Sequence, residues 1–145
     1  AVAAAHACAP AEVDGADLAV AGEAGLTTGF CGGVWRLRLR EGAAFDREAA
    51  LAGAAFAGLT AVPRRVTLRH ARRGERFEPL GLGGETTVAR YLAAARVPAE
   101  RRPQAPLLDV DGRAAWVGGG PGRVAQAFRV EDSSALTLHV VQEGT

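Results

Sequence analysis

The sequence predicts an α+β fold: strand-rich, with mixed or antiparallel sheets and one or two short helices. Three observations carry that reading. "VWRLRLR" at 34–40 and "RRVTLRH" at 64–70 alternate apolar and polar residues with the period of a strand. "PLLDVDGRAAWV" at 106–117 is an apolar run, an Asp-Gly turn and a second run, which is a hairpin signal. One stretch, 86–95, has a clear helical period. The 145 residues suggest one domain or a little more. The division expected is an upstream or linker segment over 1–62, with short strands and a possible helix, and a domain over 63–145.

The elements follow in order. Residues 1–12 are Ala-rich and read as the tail of a preceding helix. Short strand-like pieces lie near Asp17–Val20 and Thr27–Phe30, in a stretch rich in Gly. In the strand at 34–40, Trp35, Leu37 and Leu39 face one way and Arg36, Arg38 and Arg40 the other. "FDREAALAGAAF" reads as a helix capped by Asp46, weakened by Gly53. In the strand at 64–70, Val66 and Leu68 point inward, and Arg65, Thr67 and Arg69 outward. Val88, Leu92 and Ala95 recur at i, i+4 and i+7 with Tyr91 beside them, and Pro98 stops that helix. "GGGPG" at 118–122 is a loop, and "VAQAFRV" and "LTLHVV" close the chain as strands. Leu68, Phe77, Leu92, Leu107, Leu108 and Trp116 fall on the apolar phases of their elements and should share one core.

Composition excludes more than it assigns. A formal net charge of +1 with a pI near 8.1 is not that of a strongly basic protein. Any nucleic-acid site must come from clustered charge and not from its total. All 17 cationic residues are Arg, and they bunch at 36–40, 64–76 and 101–102. No apolar run reaches membrane-spanning length, and the start lacks the basic segment of a signal peptide. The expectation is a piece of a longer cytoplasmic protein.

No catalytic constellation stands out: there is no nucleophile elbow and no phosphate-binding P-loop. Asp109-x-Asp111-Gly112 begins like a calcium loop but lacks the later ligands, so it reads as a hairpin turn. Cys8 and Cys31 are too few for a disulfide framework. With His6 and a distant His they have the donor types of a zinc site, but the spacing fits no compact motif, and no metal is expected. His70 and His139 read as sheet-face residues. The Arg-rich segment is the sharper signal. Arg72, Arg73 and Arg76 lie in a turn, where no sheet face requires them, and forked guanidinium donors suit phosphate oxygens.

The segment beginning "GERFEPLGLGG", a short helix, "VPAERRPQAPLL" and "RAAWVGG" resembles, in unbroken order, the C-terminal domain of bacterial tRNA(Ile)-lysidine synthetase. Gly74, Phe77, Pro79, Gly81, Val97, Pro98, Arg102, Pro106, Leu107, Leu108, Trp116 and Val117 match that pattern. Glu75 stands where the family usually has Asp. Thr86 and Thr87 stand where a Lys pair is common. The resemblance spans about residues 64–141. It implies a tRNA-binding accessory domain that reaches the acceptor stem. The ATP-dependent joining of lysine to the wobble cytidine belongs to an N-terminal catalytic domain, whose Ser-Gly-Gly-x-Asp-Ser loop this chain lacks. The expectations are therefore tRNA and that catalytic domain as partners, no membrane, no cofactor for this chain, ATP and lysine for the parent enzyme, and no activity alone. The candidate RNA-binding residues are Arg65, Arg69, Arg72, Arg73, Arg76, Thr86, Thr87, Arg90 and Arg102. The alternative is an inter-domain interaction module, in which the arginines pair with acids on a neighbouring domain.

Overall fold

The computed structural model describes residues 8–144. Its strands form a five-stranded sheet, a four-stranded sheet and a two-stranded ribbon, and every ladder within them is antiparallel. In chain order the elements are β1 (Ala11–Asp14), α1 (Gly15–Ala21), β2 (Leu26–Phe30), β3 (Gly33–Glu41), α2 (Arg47–Leu51), β4 (Ala55–Leu59), β5 (Arg65–Arg69), β6 (Arg76–Phe77), β7 (Thr86–Thr87), α3 (Val88–Ala94), β8 (Leu107–Val110), β9 (Arg113–Val117), β10 (Arg123–Val124) and β11 (Leu136–Gly144). The strand-rich α+β class expected from the sequence is the class observed.

The five-stranded sheet runs β1-β5-β8-β9-β10 and the four-stranded sheet β2-β3-β11-β4. Their apolar faces share one core. Trp35, Leu37 and Leu39 of β3 and Leu138 and Val140 of β11 join Val66, Leu68, Leu108, Val110 and Trp116 of the other sheet. Phe77, Val88 and Leu92 add β6 and α3 to the same cluster. All six residues expected to share a core are in it.

The upstream residues are woven through both sheets. β1 pairs with β5, from Ala11 opposite Leu68 to Asp14 opposite Arg65. β11 is paired with β3 on one side and β4 on the other. Division at residue 63 therefore cuts both sheets. The GGGPG loop curls around the Trp116 indole: a Cβ on Gly122 would lie 2.5 Å from Trp116 Cζ2, at a φ of +76°. Only glycine fits there.

Several expected elements come out differently. Asp17–Val20 is not a strand but part of α1, capped by Asp14, whose carboxylate accepts from the Ala16 N–H at 2.7 Å. Of the expected Ala-rich helix, residues 1–7 lie outside the described residues, and Ala11 and Glu12 are in β1. The helix expected over 45–56 is shortened to α2, with Asp46 at its N-cap as expected. Gly53 has a φ of +110°, and beyond it Ala55, Ala57 and Leu59 turn to the core as a strand. "VAQAFRV" contributes only the end of β10 and a 3-10 turn at Gln126–Phe128. Thr67 and Arg69, expected to face solvent, are buried, because the second face of β5 is also covered.

Candidate nucleic-acid interface

The core-facing end of the Arg-rich segment is a buried ion triad. Arg69 ends β5, with its guanidinium forked onto Glu75 at 2.8 and 2.7 Å. Its Nε donates to Asp109 at 2.9 Å, and one terminal nitrogen also donates to the His70 carbonyl at 3.1 Å. Asp109 reaches it because Thr67 and Asp109 are partners across β5 and β8, near the strand end. Glu75 also accepts from the Arg72 N–H at 2.8 Å. Burial alone would push the Glu75 carboxyl up, but the Arg69 hydrogen bonds and charge and the Arg72 N–H outweigh it and hold it below the ordinary carboxylate range. The Glu75 hydrogen bond likewise raises the Arg69 pKa against the opposing effect of burial.

Arg69 is therefore removed from the phosphate-binding set: its donors are spent inside the protein. Alternation along β5 placed it outward. What the alternation lacked was the Glu75 carboxylate, six residues on, folding back beneath it. The triad instead shapes the edge. It ties the end of β5 to the turn at 71–75, so the turn presents Arg72 and Arg73 to solvent.

The β6–β7 ribbon follows, with Arg76 opposite Thr87 and Phe77 opposite Thr86. Phe77 is buried and meets Tyr91 edge-to-face with ring centroids 5.3 Å apart. Pro79 is also buried, and residues 78–80 are stitched to 124–126 by Leu80 N–H to Val124 O at 2.9 Å and Gln126 N–H to Glu78 O at 2.7 Å. Phe77 and the Pro79–Gly81 turn thus anchor the edge to the core. Thr87 caps α3: its hydroxyl accepts from the Arg90 N–H at 3.1 Å. Thr86 sits half-buried in the ribbon.

The remaining arginines divide by how tightly they are held. Arg76 is exposed and pairs with Glu85 at 2.8 Å. Arg65 is exposed and lies 3.8 Å from Glu12. Arg90 is exposed and lines a groove with Pro79, Leu80, Leu82, Tyr91 and Arg123. Arg102 is half-buried and donates to the Val97 carbonyl at 2.8 Å, so it holds the loop between α3 and β8. Sequence reading missed Arg123 and Glu85. Arg123 follows the GGGPG loop, donates to the Leu80 carbonyl at 3.0 Å and stands in the groove with Arg90. Its signal was a cation directly after a sharp loop, and only the stitching of 78–80 to 124–126 brings it to this edge. Glu85 borders the groove of Arg90 and Arg123 and also a neighbouring pocket lined by Arg76 and Arg113.

The two aspartates of the β8–β9 hairpin serve the backbone. Asp109 accepts from the Gly112 N–H at 2.7 Å. Asp111 accepts from the N–H groups of Arg64 and Arg65 at 2.8 and 2.9 Å. Asp111 and Gly112 have φ of 52° and 88°, as a two-residue hairpin turn requires. Arg36 of the outer sheet face donates to Glu143 at 2.8 Å and to the Ala24 carbonyl at 2.6 Å. In that row of arginines, Arg36 is thus paired with Glu143, and Arg40 lies 3.6 Å from Glu23.

Among the described residues, no helix is long and apolar enough to cross a membrane. The family model for the TilS substrate C-terminal domain matches residues 66–140. A tRNA(Ile)-lysidine synthase of Methylococcus capsulatus is 38% identical over 75 residues, which is 52% of this chain and 17% of that protein. The chain thus spans a small part of the length of its curated relative. A solved structure described as the crystal structure of a TILS C-terminal domain is similar with a TM-score of 0.57 at 21% identity, over 77% of this chain and 84% of that one. That likeness is one of fold. The ordered series from Gly74 to Val117 lies inside the matched region, which covers more than half of the chain, and the chain belongs to the family of TilS substrate C-terminal domains.

Proposed function

We propose that this chain is the tRNA-contacting domain of a tRNA(Ile)-lysidine synthase, and that Arg72, Arg73, Arg76 and Arg90, with Arg123, grip phosphates of the tRNA acceptor stem. ATP and lysine are used by a separate catalytic part of the parent enzyme, which works in the cytoplasm where tRNA is found. The observation that carries this reading is the contrast within one short segment. Arg69 is buried and held by two carboxylates, while its neighbours are exposed on a turn that the Arg69 triad holds in place. The Arg76–Glu85 pair is open to solvent on both sides. Such exposed pairs contribute only about 0–1 kcal/mol. A phosphate can displace the glutamate at small cost. Arg65 and Thr86 flank the edge. Thr87 and Arg102 frame it, since each already bonds a backbone group.

The test is tRNA binding at two salt concentrations by Arg→Gln variants at 72, 73, 76 and 90. Removing any one of these charges should weaken binding to all tRNA sequences alike and flatten the slope of log affinity against log salt by about 0.7–0.9. Melting temperatures should stay unchanged, because these side chains are exposed. Arg102→Gln is the control: it loses the bond to Val97 and should melt earlier. If the four cluster variants bind as the parent does, with the same salt slope, the edge serves docking to another protein domain instead.

A further inference from the structure

The two cysteines, distant in sequence, meet at a place the RNA-facing edge does not use. Cys31 sits at the tip of the β2–β3 hairpin, and the structure joins it to Cys8 as a disulfide, with Cα atoms 5.5 Å apart. His70, just past the end of β5, points its Nε2 at Cys31 Sγ from 3.2 Å. Its other ring nitrogen, Nδ1, lies 3.3 Å from the Ala105 carbonyl. A carbonyl only accepts, so Nδ1 carries the proton, and in the neutral ring Nε2 presents a bare lone pair. A disulfide sulfur has no proton to offer that lone pair. The arrangement therefore faces a nitrogen donor atom onto sulfur with nothing between them to bond both.

Once the disulfide is reduced, a metal ion can take that lone pair together with the two thiolates. A histidine ligand characteristically donates its second nitrogen to a carbonyl, which fixes the tautomer and aims the other lone pair. Phe30 packs on the imidazole with centroids 5.1 Å apart and holds its orientation. The Sγ atoms of Cys8 and Cys31 and a ring nitrogen of His70 all lie within 4.8 Å of one another. Zinc bonds of about 2.3 Å to sulfur and about 2.0–2.1 Å to nitrogen span donor separations inside that limit. Cys31 has a φ of 52° and Gly32 one of 77°, as the two-residue turn between β2 and β3 requires.

We propose that Cys8, Cys31 and His70 form a structural zinc site in the thiol state of the chain. Cys31 is exposed, so the disulfide is accessible to a thiol reductant. The reductant supplies two electrons and two protons, becomes a disulfide itself, and leaves two thiols. Zinc then binds both sulfurs as thiolates and His70 through Nε2, releasing the two thiol protons, with a fourth position for water or another donor. The ion clasps three places at once: the segment before β1, the β2–β3 hairpin of one sheet and the end of β5 in the other. The spacing of Cys8, Cys31 and His70 fits no compact motif because each ligand comes from a different element. His6 lies outside the described residues.

The experiment uses the whole chain, reduced and freed of metal, then given zinc chloride and desalted. The expected result is about one zinc per chain by elemental analysis. Cobalt(II) in its place should give thiolate-to-metal charge-transfer absorption. Chelator should lower the melting temperature of the reduced, zinc-loaded chain. His70→Gln keeps both cysteines and the disulfide, and it should lower zinc affinity by more than about tenfold. Cys31→Ser should abolish the charge-transfer band from that sulfur. The proposal fails if the reduced chain has titratable thiols but retains no zinc, if His70→Gln binds zinc as tightly as the parent, or if thiol reductant never opens the disulfide of the folded chain.

Discussion

Arg69, Glu75 and Asp109 form the tightest polar cluster at the candidate site, and their chemistry fixes its behaviour with pH. The Arg69 side chain is 7% exposed and that of Glu75 13%. Glu75→Gln leaves Arg69 paired with Asp109 but breaks the two-oxygen fork, and it should cost about 1–3 kcal/mol at neutral pH, read as a lower urea midpoint. Glu75 is held below its ordinary value when folded, so the unfolded chain takes up its proton first on acidification. Its contribution is complete above the unfolded value of about 4.3 and is lost as pH falls through the lower folded value. The gap between wild type and Glu75→Gln should therefore close in that acid window. His139 adds an earlier loss. Burial, then Arg40 and Arg38, hold its pKa below 6.5, so stability falls as pH drops below that value. A Glu75→Gln profile with the same acid slope as wild type would refute this account of the triad. The triad was half legible in the sequence. Glu75 was visible as a conservative replacement for Asp, but which of two covered faces Arg69 occupied was not, because alternation separates faces without saying whether either meets water.

At the scale of elements, the β6–β7 ribbon and α3 hold the cationic turn against the core. Phe77 is the main anchor, 5% exposed and packed edge-on against Tyr91. Phe77→Ala should cost about 3–5 kcal/mol, the usual range for a buried aromatic. It should weaken tRNA binding only as far as folding is lost, so binding measured well below the melting temperature, per folded molecule, should be near that of the parent. A full loss of affinity in a folded Phe77→Ala chain would place the ring itself at the RNA. Helix α3 was readable because its cap, period and proline stop agree. Helix α1 was not: of its side chains only Leu18 is fully buried, while Val20 is 89% exposed, so no face repeats often enough to show a period. Its position is set instead by close approach, since a Cβ on Gly15 would sit 1.6 Å from the Pro63 carbonyl oxygen. The turn arginines were legible as site residues because nothing local explains them. Arg123 was not, since its place depends on a bridge between Pro79 and Ala125, far apart in the chain.

The whole molecule is interleaved, and this separates the family's matched region from the unit that folds. The match begins at residue 66, yet β5 has β1 as one of its two neighbours, and β11 lies between β3 and β4. A chain shortened to residues 63–145 would keep β5, β8, β9 and β10 but would leave β11 with no partner in its own sheet. Leu138 and Val140 of β11, both fully buried, would then face water along with the apolar faces of β8 and β9. A lone strand cannot recover that burial, since isolated strands and hairpins are at best marginal in water. The sequence reading placed a boundary at 63 because the recognisable series begins there, whereas pairing across the chain is invisible to local pattern. The expected outcome is that residues 63–145 give no cooperative thermal transition and no dispersed amide spectrum, while the full 145 residues give both. Adding a separate 1–62 fragment should restore dispersion in part, because β1, β3 and β4 all find their partners on the longer piece. Cooperative unfolding of 63–145 alone would mean that the four-stranded sheet is dispensable to the five-stranded one. The cationic edge, built on β5 to α3, would then stand independently of everything upstream of it.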